Sequence, residues 1–596
     1  MKFMKLFWAT TANVLGLAFF CAVFVGQAGD SYAKTLVADP KANPSKPNYY
    51  RNLVGQLRPG DVLQLPAGIY PERLNLSGIQ GRPNAWITIT GPESGSPAVV
   101  TTSSTCCNNV QLGNTWYVAI KNLTIDSASL DGIDGINAKD GVTHDILIEN
   151  CMLKGQGSHQ ATIGISTKST AWNWIIRRNQ IIQAGTGLYL GSSDGSAPFV
   201  AGVIENNLIV DTIGYNMEIK FQRPYAHVSG MPSGPNRTII RNNVFIKKRA
   251  QADWPPMPDG TSRLSGPRPN LLVGGFPNTG LGSEDLYDIY GNLFYRNPDE
   301  ALLQASGRVA IHDNIFVGAS DAAIRLQHHD LPLKLAYVYS NTIYGGPVGI
   351  ALNTTATHAD AIVGNLIFAE IPIGGTPRNF HDNIVDTAAH AGNYLKNPSL
   401  TLGAMDFYPL PGKCQGSPLD FSLFSASTED TYDFNGNSKG NNTFRGAYAG
   451  DGTNPGWALS EGIKAIKARF DLRGQTLRVQ AVIHTGLFDD EERFEFEARV
   501  IGPKARGVVI PAYIHDPLLA RDNFQGSVVI FPVPQNHQLA VDSLKDQVEC
   551  QITESHGRDR IDRIRMAAAH QVAQALADHI NSPAVVKFCR PLLQLI

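Results

Sequence analysis

One six-residue pattern recurs along the middle of this chain. It runs a β-branched or aromatic residue, two variable residues, a slot that usually holds Asn, one variable residue and another apolar residue. It reads IRRNQI at Asn179, IENNLI at Asn207, IRNNVF at Asn243, IYGNLF at Asn292 and IHDNIF at Asn314. It continues as VYSNTI at Asn341, IVGNLI at Asn365 and FHDNIV at Asn383, while IENCML upstream puts Cys151 in the slot and IKNLTI puts Leu123 there. From Leu123 the slots are 28, 28, 28, 36, 49, 22, 27, 24 and 18 residues apart. A repeat of this length means units that stack on one another to bury a shared core.

The units are rich in Val, Ile, Phe and Tyr, with Gly and Asn at turns, and none carries a helical period, so each is built of strands. Asn is expected at a sharp corner because it tolerates the left-handed conformation. Its side-chain amide also suits a ladder in which each Asn bonds the ones above and below. A leucine-rich repeat lacks its consensus here, and the units are too short for propeller blades.

The chain has 596 residues, enough for two or more domains, and the 57 Gly and 36 Pro fit a turn-rich fold. A net charge of -2 gives no global field to draw in nucleic acid. The start MKFMK is basic, VLGLAFFCAVFV (residues 14–25) is apolar, and Ala28 and Ala33 are candidate cleavage positions. The run is short for a bilayer span. The expectation is an export signal over residues 1–33, a secreted or periplasmic protein, and no integral membrane span after its removal. Cys21 aside, six cysteines remain, whose spacing fits no zinc motif. The adjacent Cys106 and Cys107 either bond to each other or are buried thiols.

With these repeats, the chain resembles the right-handed parallel β-helix proteins of the pectate-lyase-like superfamily. The segment LRPGDVLQLPAGIY (residues 57–70) is similar to that family's first coil, and WITITGP (residues 86–92) to its next strand. The resemblance runs from about Thr35 to Trp457 and implies a mainly β right-handed parallel β-helix over residues 34–463. In such a coil of three strands, the strand after the Asn-slot strand opens a new coil, and in the lyases that first-strand face carries the substrate groove. Here the first strands hold GLYL (187–190), MEIKFQ (217–222), NLLVG (270–274), ALLQA (301–305), AIRLQHH (323–329) and VGIALN (348–353).

Alternation along these strands points Tyr189, Glu218, Lys220, Gln222, Gln304, Arg325, Gln327 and Asn353 outward. Two long spacings place extra chain beside the same face, at residues 223–237 and 250–269. Loops rich in Pro, Gly and aromatics on a rigid scaffold make cleft walls. Tyr225 and Trp254 are then candidates to stack on sugar rings, with Arg223, His227, Arg263 and Arg268 as candidates for binding acidic groups. Glu218 and Lys220 share a face and are expected to pair; a lysine beside a carboxylate is held protonated, which works against its use as a base. Lys220 and Arg325 fall three coils, or about 14 Å, apart, a spacing of subsites rather than of one acid–base pair. In AIRLQHHD, alternation puts His329 outside with Arg325 and His328 inside, and His329 is a candidate proton donor.

The lyase branch of the family implies a Lys and an Arg on consecutive first strands, assisted by calcium. Here Gln304 occupies the Arg position and NLLVGG has no Lys, so that pattern is not matched. Calcium is the one cofactor the resemblance brings in; LDGIDGINAKDG, with Asp131, Asp134 and Asp140, is either a weak site for it or a Gly-Asp turn.

After residue 463 the repeat stops. Residues 464–596 read as alternating strands followed by an apolar-periodic helix over residues 558–580, a smaller α+β domain that caps the solenoid, packs on it or binds a protein partner. Three functions are consistent with the whole: an exported lyase cleaving an acidic polysaccharide by β-elimination, with Lys220, Glu218, Arg325 and His329 as its catalytic candidates; a non-catalytic glycan-binding protein; and a structural or assembly spacer.

Overall fold

The computed structural model describes residues 33–102, 108–425, 428 and 431–465, together with backbone strands at 476–484, 491–500, 508–513, 525–532 and 548–552. The expected export signal, the Cys106–Cys107 pair and the expected helix over 558–580 lie outside the described residues. The chain divides into two compact units, Met1–Ala465 and Ile466–Ile596.

The first unit is a parallel β-helix. Its coils stack three sheets of 11, 15 and 12 strands, and neighbouring strands within each sheet pair in parallel. One turn runs through Thr186–Leu190 on the first sheet, Phe199–Val200 and Val203–Glu205 on the second, and Leu208–Val210 on the third. Met217–Ile219 then opens the next coil on the first sheet. Residues Leu188, Ile204 and Ile209 point inward from the three sheets into one continuous apolar core. A short helix, Tyr50–Val54, closes the N-terminal end of that core with Tyr50, Leu53 and Val54.

The Asn ladder exists, but the left-handed corner is one residue earlier than expected. Arg178, Asn206, Asn242, Asp313, Ser340 and Asp382, each immediately before a slot, have φ between 52 and 58°. Gly291 and Gly364 take the same place with φ of 67 and 64°. That residue makes the bend, and the slot Asn next to it is thereby turned into the core. Asn179 donates from Nδ2 to Asn207 Oδ1 at 3.0 Å and to the Ile148 carbonyl at 3.0 Å, and the geometry repeats through Asn243, Asn292, Asn314, Asn341, Asn365 and Asn383. The backbone N–H of each slot residue from Cys151 to Asn365 also donates to the next Asn Oδ1, which gives these donors a partner inside the core. Cys151 ends the column: its N–H still donates to Asn179 Oδ1 and its thiol contacts the Ile120 carbonyl at 3.8 Å, but it has no amide oxygen to accept from the coil before.

The coils stop at Ile384–Asp386. Residues 387–465, which the sequence suggested would continue the solenoid, instead run back along it as a strap. Phe407, Tyr408, Phe434 and Tyr448 of the strap bury the outer face of the third sheet, including Val244, Ile246, Leu293 and Phe368. This is why third-sheet strands such as VFI and LIF are apolar on both faces. Three strap cations fasten it to the corner column. Lys464 Nζ donates to the Gly291 and Phe434 carbonyls, both at 2.6 Å; Lys439 lies 2.7 Å from Asp313 and Arg445 lies 2.8 Å from Asp382.

Under the strap, the fully buried His312 stacks between Tyr290 and Tyr339 and contacts Asp313 through Nδ1 (2.7 Å) and Asp288 through Nε2 (2.9 Å). Burial pulls this imidazole down, but the two carboxylates outweigh burial and hold it above its ordinary value. A group raised in the folded state stabilises fully below its unfolded value, about 6.5, and less as pH climbs through the folded one. Thermal stability is accordingly expected to decline over that upper window, and His312→Phe, which keeps the ring stack, should flatten the decline. Identical pH profiles for both proteins would remove His312 as its source.

In the second unit, Thr476–His484, Glu491–Val500, Val508–Tyr513, Gln525–Pro532 and Val548–Ile552 form an antiparallel sheet in sequence order.

Candidate functional site

The first sheet holds its residues in straight rows, because each strand pairs in register with the next. One outward row runs Asn137, Ser166, Tyr189, Glu218, Leu272, Gln304, Arg325 and Ala351. Against this row, at the strands Ile163–Thr167, Thr186–Leu190 and Met217–Ile219, lies a cleft of about 400 Å³. Tyr189, Tyr215, Glu218, Lys168, Ser192, Ser193, Gln160 and Ser265 line it.

Glu218 forms part of the floor. It is 3% exposed, and Lys220 Nζ lies 2.9 Å from its Oε1. Burial raises the Glu218 carboxyl above its usual range, and Lys220 opposes that without cancelling it; the charges of Arg268 and His329 oppose it more weakly. Lys220 reaches across the ring of Tyr189, 5.9 Å from its centroid. Gly191, at φ 93°, permits this: a side chain there would meet the Lys220 stem at 3.3 Å. Burial also raises the phenols of Tyr189 and Tyr215, and the Glu218 charge adds to it, so both stay protonated donors. Further along, Lys168 pairs with Asp134 at 2.8 Å.

The inserted segment 250–269 forms a wall, as its length suggested. Arg263 donates to the carbonyls of Gly157 and Ser158, and Ser265 donates through N and Oγ to Gln160 Oε1 at 3.0 Å each. Arg263 is thus a fastener and not an anion binder. Trp254 is not in the cleft; the Arg249 guanidinium covers its ring at 3.9 Å. The other insertion, 223–237, leaves the face. Tyr225, Val228 and Met231 pack on Trp172 and Val200 of the second sheet, so Tyr225 is a packing residue and not a sugar platform. His227 contacts the Met231 carbonyl at 2.8 Å, within the same segment.

Several expected residues change role. Gln222 is buried and donates to the Phe199 carbonyl at 3.0 Å, because the strand ends at Ile219 and alternation ends with it. Arg223 is exposed, with its guanidinium 5.8 Å from the Phe221 ring centroid. Arg325 does stand on the outward row, but Glu300 (2.6 Å) and Asp321 take its charge. Gln304, its neighbour in the row, is buried at 6% exposure. Gln327 and Asn353 stack side by side beyond Arg325, joined at 3.1 Å. His329 is half-exposed beside Asp330 at 3.5 Å, and His328 is exposed rather than inside, because that strand ends at Leu326. Lys168, Tyr215 and Gln160 were not anticipated: each lies outside the regular strands, where periodicity carries no information.

Among the described residues, no group of three or more His, Cys, Asp or Glu side chains could hold a metal ion. Asp131 lies 3.3 Å from His159, and Asp134 is held by Lys168, so the two diverge. No helix among the described residues is long and apolar enough to cross a membrane.

No protein family matches the chain, and no curated protein matches it. Solved structures do resemble it. An alginate lyase from Paenibacillus sp. str. FPU-7 is 15% identical, with a TM-score of 0.29 over 59% of this chain and 99% of that one. Pectate lyase Pel9A is 12% identical, with a TM-score of 0.39 over 73% of this chain and 98% of that one. The A-module of a mannuronan C-5 epimerase from Azotobacter vinelandii is 15% identical, with a TM-score of 0.31 over 54% and 91%. At these values the likeness assigns no residue a role.

Proposed function

We propose that the protein is exported, binds a polysaccharide along the first-sheet cleft and cleaves it by β-elimination at the Glu218–Lys220 pair. The observation that carries this is a buried carboxyl, Glu218, that opens into a cleft lined by two tyrosines and small polar side chains and contacts the part-buried Lys220 at 2.9 Å. Burial disfavours the separated charges of such a pair and favours the form in which the carboxyl carries a proton. The raised Glu218 supports that form. In this reading Lys220, having passed a proton to Glu218, takes the proton from the ring carbon beside a uronate carboxylate. A carbon–carbon double bond forms, the glycosidic carbon–oxygen bond breaks, and the leaving oxygen receives its proton from the Tyr189 hydroxyl. The Arg268 guanidinium, whose described contacts are a carbonyl, a hydroxyl and the Tyr215 ring, supplies the charge that neutralises the uronate carboxylate.

A second reading, glycan binding without cleavage, is favoured by the closure of the same pair: Glu218 and Lys220 satisfy each other. Incubation with a panel of uronate polysaccharides, followed by the ultraviolet absorbance of the unsaturated product, separates the two. New absorbance supports elimination. Retention on an immobilised glycan with no product leaves binding alone, and neither result would dismiss the cleft as a glycan site.

A further inference from the structure

Lys247 follows the third-sheet strand Val244–Ile246 and is 3% exposed. Its Nζ donates to the backbone carbonyl of Arg268 at 2.8 Å, and Asn297 Nδ2, also buried, donates to the same oxygen at 2.9 Å. Two buried side-chain donors therefore converge on one loop carbonyl. A neutral donor would satisfy that oxygen, yet the residue present is a lysine whose charge must be desolvated. Burial pulls its ammonium down to about 8; Asp299, Glu300 and Asp211 oppose the fall, and Arg268 adds to it.

Five and three residues before Arg268, the same segment is fastened at Gly157, Ser158 and Gln160 through Arg263 and Ser265. At the second fastening, the Arg268 guanidinium is held 5.7 Å from the Tyr215 ring centroid, with Nη2 donating to Ser265 Oγ at 3.3 Å and Nη1 to the Pro267 carbonyl at 2.8 Å. An arginine has five donors in a fixed fork, so donors remain for a planar acidic group.

We propose that Lys247 is a positioning residue that locks the far end of segment 250–269, and that the Arg268 guanidinium held by this lock selects glycans carrying a carboxylate. The second half rests on the polysaccharide reading of the cleft; the first half does not.

The test uses full-length protein, Lys247→Met, Lys247→Gln, Asn297→Ala and Arg268→Gln. Hydrogen–deuterium exchange is read over residues 263–268, with the coil strands as internal control, and equilibrium binding is read with an oligogalacturonate and a neutral galactan oligomer of equal length. Lys247→Met is expected to speed exchange over 263–268 about tenfold, with the coil strands unchanged, and to weaken the oligogalacturonate about tenfold while leaving the neutral oligomer nearly unaffected. Lys247→Gln, which keeps a shorter N–H donor, should recover part of both, and Asn297→Ala should loosen the same residues. Arg268→Gln should lose the acidic preference with exchange unchanged. Wild-type exchange in Lys247→Met would overturn the lock. Equal weakening of acidic and neutral oligomers would overturn the selection. If the wild-type protein binds neither oligomer, the polysaccharide reading and the selection fall together, and the exchange result still decides the lock.

Discussion

Lys220→Met is expected to lower turnover about a thousandfold, the range in which a positioned proton-transfer group contributes. The variant retains the shape of the side chain and its packing against Gly191 and Tyr189, but it cannot take a proton. It also leaves Glu218 buried with its closest counter-charge gone. Removing one partner of a buried pair destabilises, here by about 2 kcal/mol because the carboxyl can protonate instead. Lys220→Met combined with Glu218→Gln removes that complication: stability should return towards wild type while turnover stays lost. A stable double variant without activity assigns the pair to chemistry, whereas full turnover in Lys220→Met would take Lys220 out of the mechanism.

The largest effect on stability is expected at Asn292. Its Nδ2 donates to Asn314 Oδ1, the Ile240 carbonyl and the Tyr290 carbonyl, and its Oδ1 accepts from both the N–H and the Nδ2 of Asn243. Asn292→Ala leaves those partners buried and unpaired in the middle of the column. With about 1–3 kcal/mol for each unsatisfied group, partly relieved by relaxation, a loss of about 4 kcal/mol follows. Asn383→Ala, at the half-exposed end of the same column, is expected to lose about 1 kcal/mol, since solvent can replace both its bonds to the Ile362 and His381 carbonyls and the oxygen it offers to Asn365. Chemical denaturation of the two variants measures the difference. Equal losses would mean that the ladder acts through something other than burial of its polar groups.

The column was legible because its chemistry forces a sequence: a buried amide must meet another amide one coil away, so Asn recurs whatever the loops do. The residue that makes the bend was misplaced by one because doublets such as Asn206-Asn207 and Asn242-Asn243 hide which Asn is left-handed. Arg178-Asn179 and Asp313-Asn314 separate the two roles, since only the second residue is always suited to the ladder. Within the site, Glu218 was legible by alternation, a property of the strand itself, and Lys220, the first residue past the strand end, still pairs with it. Gln222 was not, because nothing in MEIKFQ marks the strand end at Ile219. Arg325 was placed on the correct row, but its neutralisation by Glu300 depends on a residue of another coil, 25 positions away. The length of an insertion told where a loop leaves the coil and not which way it folds, so 250–269 became a wall while 223–237 turned to Trp172. The strap has no repeat and gave no signal at all.

The strap also bears on the order in which the molecule is made. In an unadorned solenoid each coil depends only on its neighbours and can settle as soon as they exist. Here Lys464 reaches a carbonyl 173 positions earlier in the chain, and its own carbonyl accepts from Asn206, 258 positions earlier. Contacts of such sequence separation form late, and synthesis delivers the strap after every coil. Until it arrives, the outer face of the third sheet stands bare and apolar beside other chains in the same state. A chain ending at residue 386 would keep that face bare, because every strap residue that covers it lies later.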